Sequence, residues 1–154
     1  MISLYLFAIA IVFTLFHMAL SKKRNLEILL NYILLFNMGL MGLIAAYGHI
    51  YMGPEIAEKI GWEPGSPFQF EIGMANLSYG VLGIIAFKAG RGFKTAAVIG
   101  WSVLLLGCFI GHIHEFLSFD NTSPYNIGIF VWLNDLLLPL LALTLLCVTR
   151  KSAT

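Results

Sequence analysis

Residues 95–117 read TAAVIGWSVLLLGCFIGHIHEFL. From Thr95 to Gly111 the run carries no charged side chain, and then His112, His114 and Glu115 arrive together. At ~1.5 Å per residue a helix over this run is roughly 35 Å long, enough to cross a hydrocarbon core of about 30 Å. It reads as a membrane-spanning helix with an apolar body and a polar end.

Working outward, residues 2–20, 28–52, 70–87 and 127–148 meet the same standard. The composition agrees: of 154 residues 59% are hydrophobic, 14% aromatic and 11% charged, against about a quarter charged in soluble domains. So little charge excludes disorder, and a net charge of +1 gives no basic field for nucleic acid. The fold class is an all-α integral membrane protein. It is a single domain over residues 1–154, a bundle of five transmembrane helices with a short interfacial helix in an outer loop.

The span at 70–87 is the shortest and most polar, with Glu71, Asn76 and Ser78 in it. If it only dipped into the bilayer, four spans would remain and the C-terminus would change side. The charge pattern favours five. With five, the clusters Lys22, Lys23 and Arg24; Lys88, Arg91 and Lys94; and Arg150 and Lys151 share one side. Lys59 alone among the cations lies opposite, beside Glu55, Glu58, Glu63 and Asp120. The positive-inside rule then puts the N-terminus outside and the C-terminus in the cytoplasm. The first stretch has its cations after the apolar run, which reads as a retained anchor, since a signal peptide has them before it. No lipidation motif is found.

In the outer loop, 53–69, Pro54 suits a first helical turn, Ile56 and Ile60 share a face, and Gly61 is placed to cap. Trp62 follows as an interface residue and Pro64–Pro67 as a turn. Cys108 and Cys147 differ in depth by roughly 15 Å, beyond disulfide reach, and read as buried apolar fillers. There is no internal repeat, Walker loop, dinucleotide fingerprint, nucleophile elbow or paired-histidine zinc motif.

Ionisable groups within spans are expensive and therefore candidates for function. His49, Glu71, His112, His114 and Glu115 fall near outer ends, and Asp135 lies roughly 13 Å below its own. His112 and Glu115, three apart, share a helix face, while His114 points away, so His112 is the histidine expected inside the bundle. Asn76 and Asn134 lie at a depth comparable to Asp135. Pro139 follows Asp135 by four, which predicts a bend and an unpaired carbonyl at 135. Small residues mark helix contacts: Gly39, Gly42 and Ala46; Gly73, Asn76, Gly80 and Gly83; and Gly107 with Gly111. They serve packing within one chain or a homo-oligomer.

The run Gly61-Trp62, Gly65-Ser66-Pro67-Phe68-Gln69-Phe70-Glu71-Ile72-Gly73, Ala75-Asn76-Leu77 and Gly80 is distinctive. So, less strongly, is Asn126, Gly128, Trp132, Asp135 and Pro139. Together they resemble a family of small prokaryotic membrane proteins known as a domain of unknown function. The resemblance implies a multi-span protein of a prokaryotic cytoplasmic membrane and carries no reaction.

Two functional readings follow. In the first, His49, Glu71, His112, Glu115 and Asp135, supported by Asn76, His114 and Asn134, bind a transition-metal ion or a small polar ligand in the outer half of the bundle. In the second, the same groups serve helix packing in a structural or accessory subunit of a larger membrane complex. A proton or cation pathway ranks last, because the inner half offers only Asn31, Asn37, His17 and Ser102.

The topology makes a direct prediction. Cysteines placed singly at Ser21 and Ser152, in a background lacking Cys108 and Cys147, react with a membrane-impermeant maleimide from the same side. Labelling from opposite sides contradicts five spans.

Overall fold

The computed structural model describes residues 2–22 and 24–150, and every regular element among them is helical. Lys23, Lys151 and Ser152 lie outside the described residues, as does the side chain of Arg150. In chain order the elements are α1 (Ile2–Ser21), α2 (Leu26–Ile33), a π-helical segment π1 (Leu34–Leu40), α3 (Met41–Tyr51), α4 (Gly53–Ile60) and α5 (Phe68–Ala86). Then come α6 (Arg91–Phe119), α7 (Pro124–Ile127), α8 (Ile129–Val131), a second π-helical segment π2 (Trp132–Leu137) and α9 (Leu138–Arg150).

Four helices are long and apolar enough to cross a membrane: Ile2–Ser21, Leu26–Tyr51, Arg91–Phe119 and Pro124–Thr149. The 19-residue α5, interrupted by Gln69, Glu71, Asn76 and Ser78, is not among them. A core joins α2 and π1 (Leu30, Ile33, Leu34, Met38) to α6 (Val98, Trp101, Leu105) and α9 (Leu138, Ala142, Leu145).

Close backbone approach holds α5 to the chain. A Cβ on Gly42 would lie 2.8 Å from Gly80 Cα, and one on Gly83 would lie 2.5 Å from the Gly39 nitrogen. Further along, a Cβ on Gly73 would stand 2.7 Å from Ile50 Cγ1. The small-residue stripes of π1–α3 and α5 thus face each other, antiparallel, inside one chain. Gly107 and Gly111 differ: nothing lies within 4 Å of where their Cβ atoms would be.

The wide turns carry polar residues. π1 holds Asn37, and π2 holds Asn134 and Asp135. Beside Pro139, where the sequence predicts a bend, the helix widens, with the Leu138 amide bonding back to the Leu133 carbonyl. A proline ring crowds the carbonyl four residues before it, and a wide turn relieves that crowding at residue 135.

At the other end of the bundle, Lys94 is 5% exposed and its ammonium lies 2.9 Å from Glu27 Oε1. Arg91 donates to Thr149 Oγ1 at 2.7 Å and to the Leu146 carbonyl, tying α6 to α9. Lys94 is thus a paired interior cation. Both cysteines are free thiols; Cys108 is half-buried, but Cys147 is exposed and is no core filler.

The glycine seam predicts a contrast. Gly42→Ala forces two backbones apart and lowers unfolding free energy by about 1–3 kcal/mol. Gly107→Ala is neutral or slightly stabilising, because alanine is the better helix former. Thermal unfolding in detergent micelles reads both, and equal effects contradict the seam.

Candidate functional site

The centre of the site is Asp135, 5% exposed and held on π2. Its Oδ1 accepts from Asn134 Nδ2 at 2.7 Å, and its Oδ2 lies 3.9 Å from His112 Nε2. Asn134 Oδ1 accepts from Ser3 Oγ at 2.9 Å, and the Ser3 carbonyl accepts from Asn37 Nδ2 at 3.1 Å. The buried Asn37 Oδ1 has no partner among the described residues. A polar chain therefore runs from π1 through the start of α1 and π2 to α6.

His112 is fixed from its other side. Its Nδ1 lies 2.8 Å from Oδ1 of Asn126, a fully buried side chain on α7. Asn126 Nδ2 donates to the carbonyls of His112 at 3.2 Å and Asn121 at 2.8 Å. With the amide donors engaged, Asn126 presents its oxygen to the ring, so Nδ1 carries the hydrogen and Nε2 faces Asp135. At 3.9 Å the two groups face each other beyond hydrogen-bond distance, so their contact is electrostatic.

Above the pair lies Trp62. Its ring stacks on His112, with centroids 6.0 Å apart and planes 11° from parallel, and its Nε1 donates to Glu115 Oε2 at 3.1 Å. Phe68 meets it edge to face at 5.4 Å. The loop comes there because α4 ends at Gly61 in the left-handed conformation, φ 87°, which glycine adopts without strain. Asn121 Nδ2 then donates to the Ile60 carbonyl at 3.0 Å, docking α4 against the α6–α7 connection. The result is an open cleft of about 550 Å³. Trp62, Phe68 and Phe119 line it with Glu63 and Glu115, and Gly61, Ser66 and Gln69 complete it.

Of the residues singled out from the sequence, His112, Glu115, Asp135 and Asn134 are brought together. His49 stands apart, with Nδ1 2.7 Å from Gln69 Oε1, and reaches the cleft only through that glutamine. Glu71 is exposed in the first turn of α5. Asn76 spends its amide on the Ile72 carbonyl of its own helix at 2.9 Å. His114 is exposed and packs on Phe119. The buried Pro139 offers its carbonyl to Ser102 Oγ at 3.5 Å. Among the described residues no three His, Cys, Asp or Glu side chains converge as a metal site requires. Amides occupy the places that further ligands would take around His112 and Asp135. Asn126, Ser3 and Trp62 are members that sequence reasoning did not assign to the site, and Asn37, read from the sequence as an inner-half residue, joins its polar chain through Ser3.

An all-helical chain with several long apolar helices and a polar cluster at one end belongs to the class compatible with integral membrane proteins. More particularly, the chain belongs to the family of unknown function DUF6790, whose model matches residues 1–154. No curated protein and no solved structure matches it.

Asn126 anchors this arrangement, so its removal is informative. Asn126→Ala leaves His112 Nδ1 and two carbonyls without their partner and lowers stability by about 2–3 kcal/mol, on the scale of buried unsatisfied groups. His114→Ala, on an exposed ring, changes it by less than about 0.5 kcal/mol. Thermal unfolding of the two variants checks the difference.

Proposed function

We propose that this is a five-span protein of a prokaryotic cytoplasmic membrane, N-terminus outside, that binds a small polar ligand in an outward-facing cleft above the His112–Asp135 pair. The fifth span is α5. Its 19 residues make roughly 28 Å of helix, near the thickness of a hydrocarbon core. It also lies zipped along a spanning helix from Gly83 against Gly39 to Gly73 against Ile50. The α4 helix then lies at the outer surface, and Gly107 and Gly111 face lipid or a second copy.

The observation that carries the ligand reading is the position of Trp62. One indole stacks on His112 and bonds Glu115 while forming a wall of the cleft. A ligand touching that wall is felt at the buried pair through the stacked rings. The competing reading is an accessory subunit. It draws on the bonds of His112 to Asn126 and of Asp135 to Asn134, which are what a structural lock requires.

A thermal-shift screen of the protein in lipid nanodiscs, against small cationic, anionic and neutral polar compounds, separates the two. On the binding reading at least one compound raises Tm, since ligand at a hundred times its Kd adds about 2.7 kcal/mol. Asp135→Asn remains folded and binds that compound about tenfold more weakly, because the buried carboxylate behind the His112–Trp62 stack is lost. A folded wild type that responds to nothing in the panel contradicts the binding reading and favours the accessory subunit.

A further inference from the structure

We infer that the ligand of the outer cleft is an organic cation, an alkylated ammonium group held between aromatic faces and carboxylates. The inference rests on the binding reading above and names its substrate class. The cleft has Trp62, Phe68 and Phe119 as aromatic walls and Glu63 and Glu115 as its charged groups, and no Lys, Arg or His lines it. Aromatic faces carry negative potential and attract cations, most strongly those that shed water easily, as alkylated ammonium groups do.

The carboxylates are suitably placed. Glu115 is half-buried, and its Oε2 already accepts from the Trp62 indole. That bond fixes both groups and leaves further lone pairs on the carboxylate for a cation. The wider surface has the same sign: Glu55, Glu58, Glu63, Glu71 and Asp120 are all exposed. Lys59, the cation of these loops, turns to the Tyr125 ring, with its ammonium 6.0 Å from the centroid. Such a field raises the local concentration of cations at the mouth.

Other ligand classes fit less well. An anion would need the start of α5, but the Phe68 amide bonds Ser66 Oγ at 3.2 Å, and the Phe70 and Glu71 amides bond the Pro67 carbonyl. A hard divalent ion takes six or more oxygens, and three of the cleft's side chains are aromatic rings. The volume, about 550 Å³, lies within the usual range for small-molecule sites.

The same ammonium chemistry comes from a free solute or from a lipid headgroup, and both are tested with choline as the probe. Wild-type protein in phosphatidylglycerol nanodiscs is titrated with choline and with its neutral isostere 3,3-dimethylbutan-1-ol by isothermal calorimetry. Choline is expected to bind saturably and the isostere at least about tenfold more weakly. Glu115→Gln retains an acceptor for Trp62 but loses the charge, and is expected to weaken choline by about tenfold with Tm nearly unchanged. Repeating the titration in phosphatidylcholine nanodiscs assigns the source. Loss of choline binding there supports a headgroup in the site, and retention supports a free solute. Equal binding of the neutral isostere, no choline binding, or an unchanged Glu115→Gln variant overturns the inference. If a neutral or anionic compound from the screen binds while choline does not, the cleft stands as a ligand site and only the cation assignment fails. If nothing binds, both fail.

Discussion

A carboxylic acid inside an apolar helical bundle cannot be left without partners, and Asp135 organises everything near it. Burying an unpaired polar group costs several kcal/mol, and an unpaired charge far more. An aspartate has too short a stem to reach water on its own. Its neighbour Asn134 takes one oxygen, and Ser3 and Asn37 extend that contact to α1 and π1. His112 on α6 faces the other oxygen, and Asn126 holds the imidazole from behind. One buried acid thereby ties together several segments of the chain. The π-helical turn at 132–137 belongs to the same arrangement, since it carries both Asn134 and Asp135.

The rest of the bundle uses a different force. Small residues let helix backbones approach closely, and polar contacts join them further. The seam of Gly39 and Gly42 against Gly80 and Gly83 brings two backbones together along α5. The pair Lys94–Glu27 and the Arg91 contacts do the equivalent work at the opposite end. Asn121 and Gly61 anchor the α4–α5 connection over the polar centre, and the cleft exists because Trp62 is pinned there. Fold and candidate site are therefore one construction.

Much of this is legible in the amino-acid sequence, for identifiable reasons. Apolar runs of sufficient length announce long helices whatever their packing. Pro54 and Gly61 bracket α4 because proline and glycine have strong local backbone preferences. Three-residue spacing to Glu115 distinguishes His112 from His114, and the two differ in burial accordingly. What spacing does not give is the pairing between helices. His49 and Glu71 read as lying in the same half of the bundle as Asp135, yet one bonds Gln69 and the other is exposed, because position along a helix leaves rotation about the bundle axis undetermined. Asn76 turns back to its own helix for the same reason. The π segments also lack a local signature apart from Pro139, and Asn126 gains its role only from a connection that brings α7 back against His112.

The central claim is that the cleft and the buried acid act as one unit through the Trp62–His112 stack. A double-mutant cycle on stability tests it most directly, using Trp62→Leu, Asp135→Asn and the double variant in phosphatidylglycerol nanodiscs. Trp62 stacks on His112 and Asp135 faces its Nε2, so the imidazole is the route that joins them. The account predicts a coupling energy of about 1 kcal/mol or more. Additivity within about 0.5 kcal/mol, the behaviour of independent sites, would contradict it.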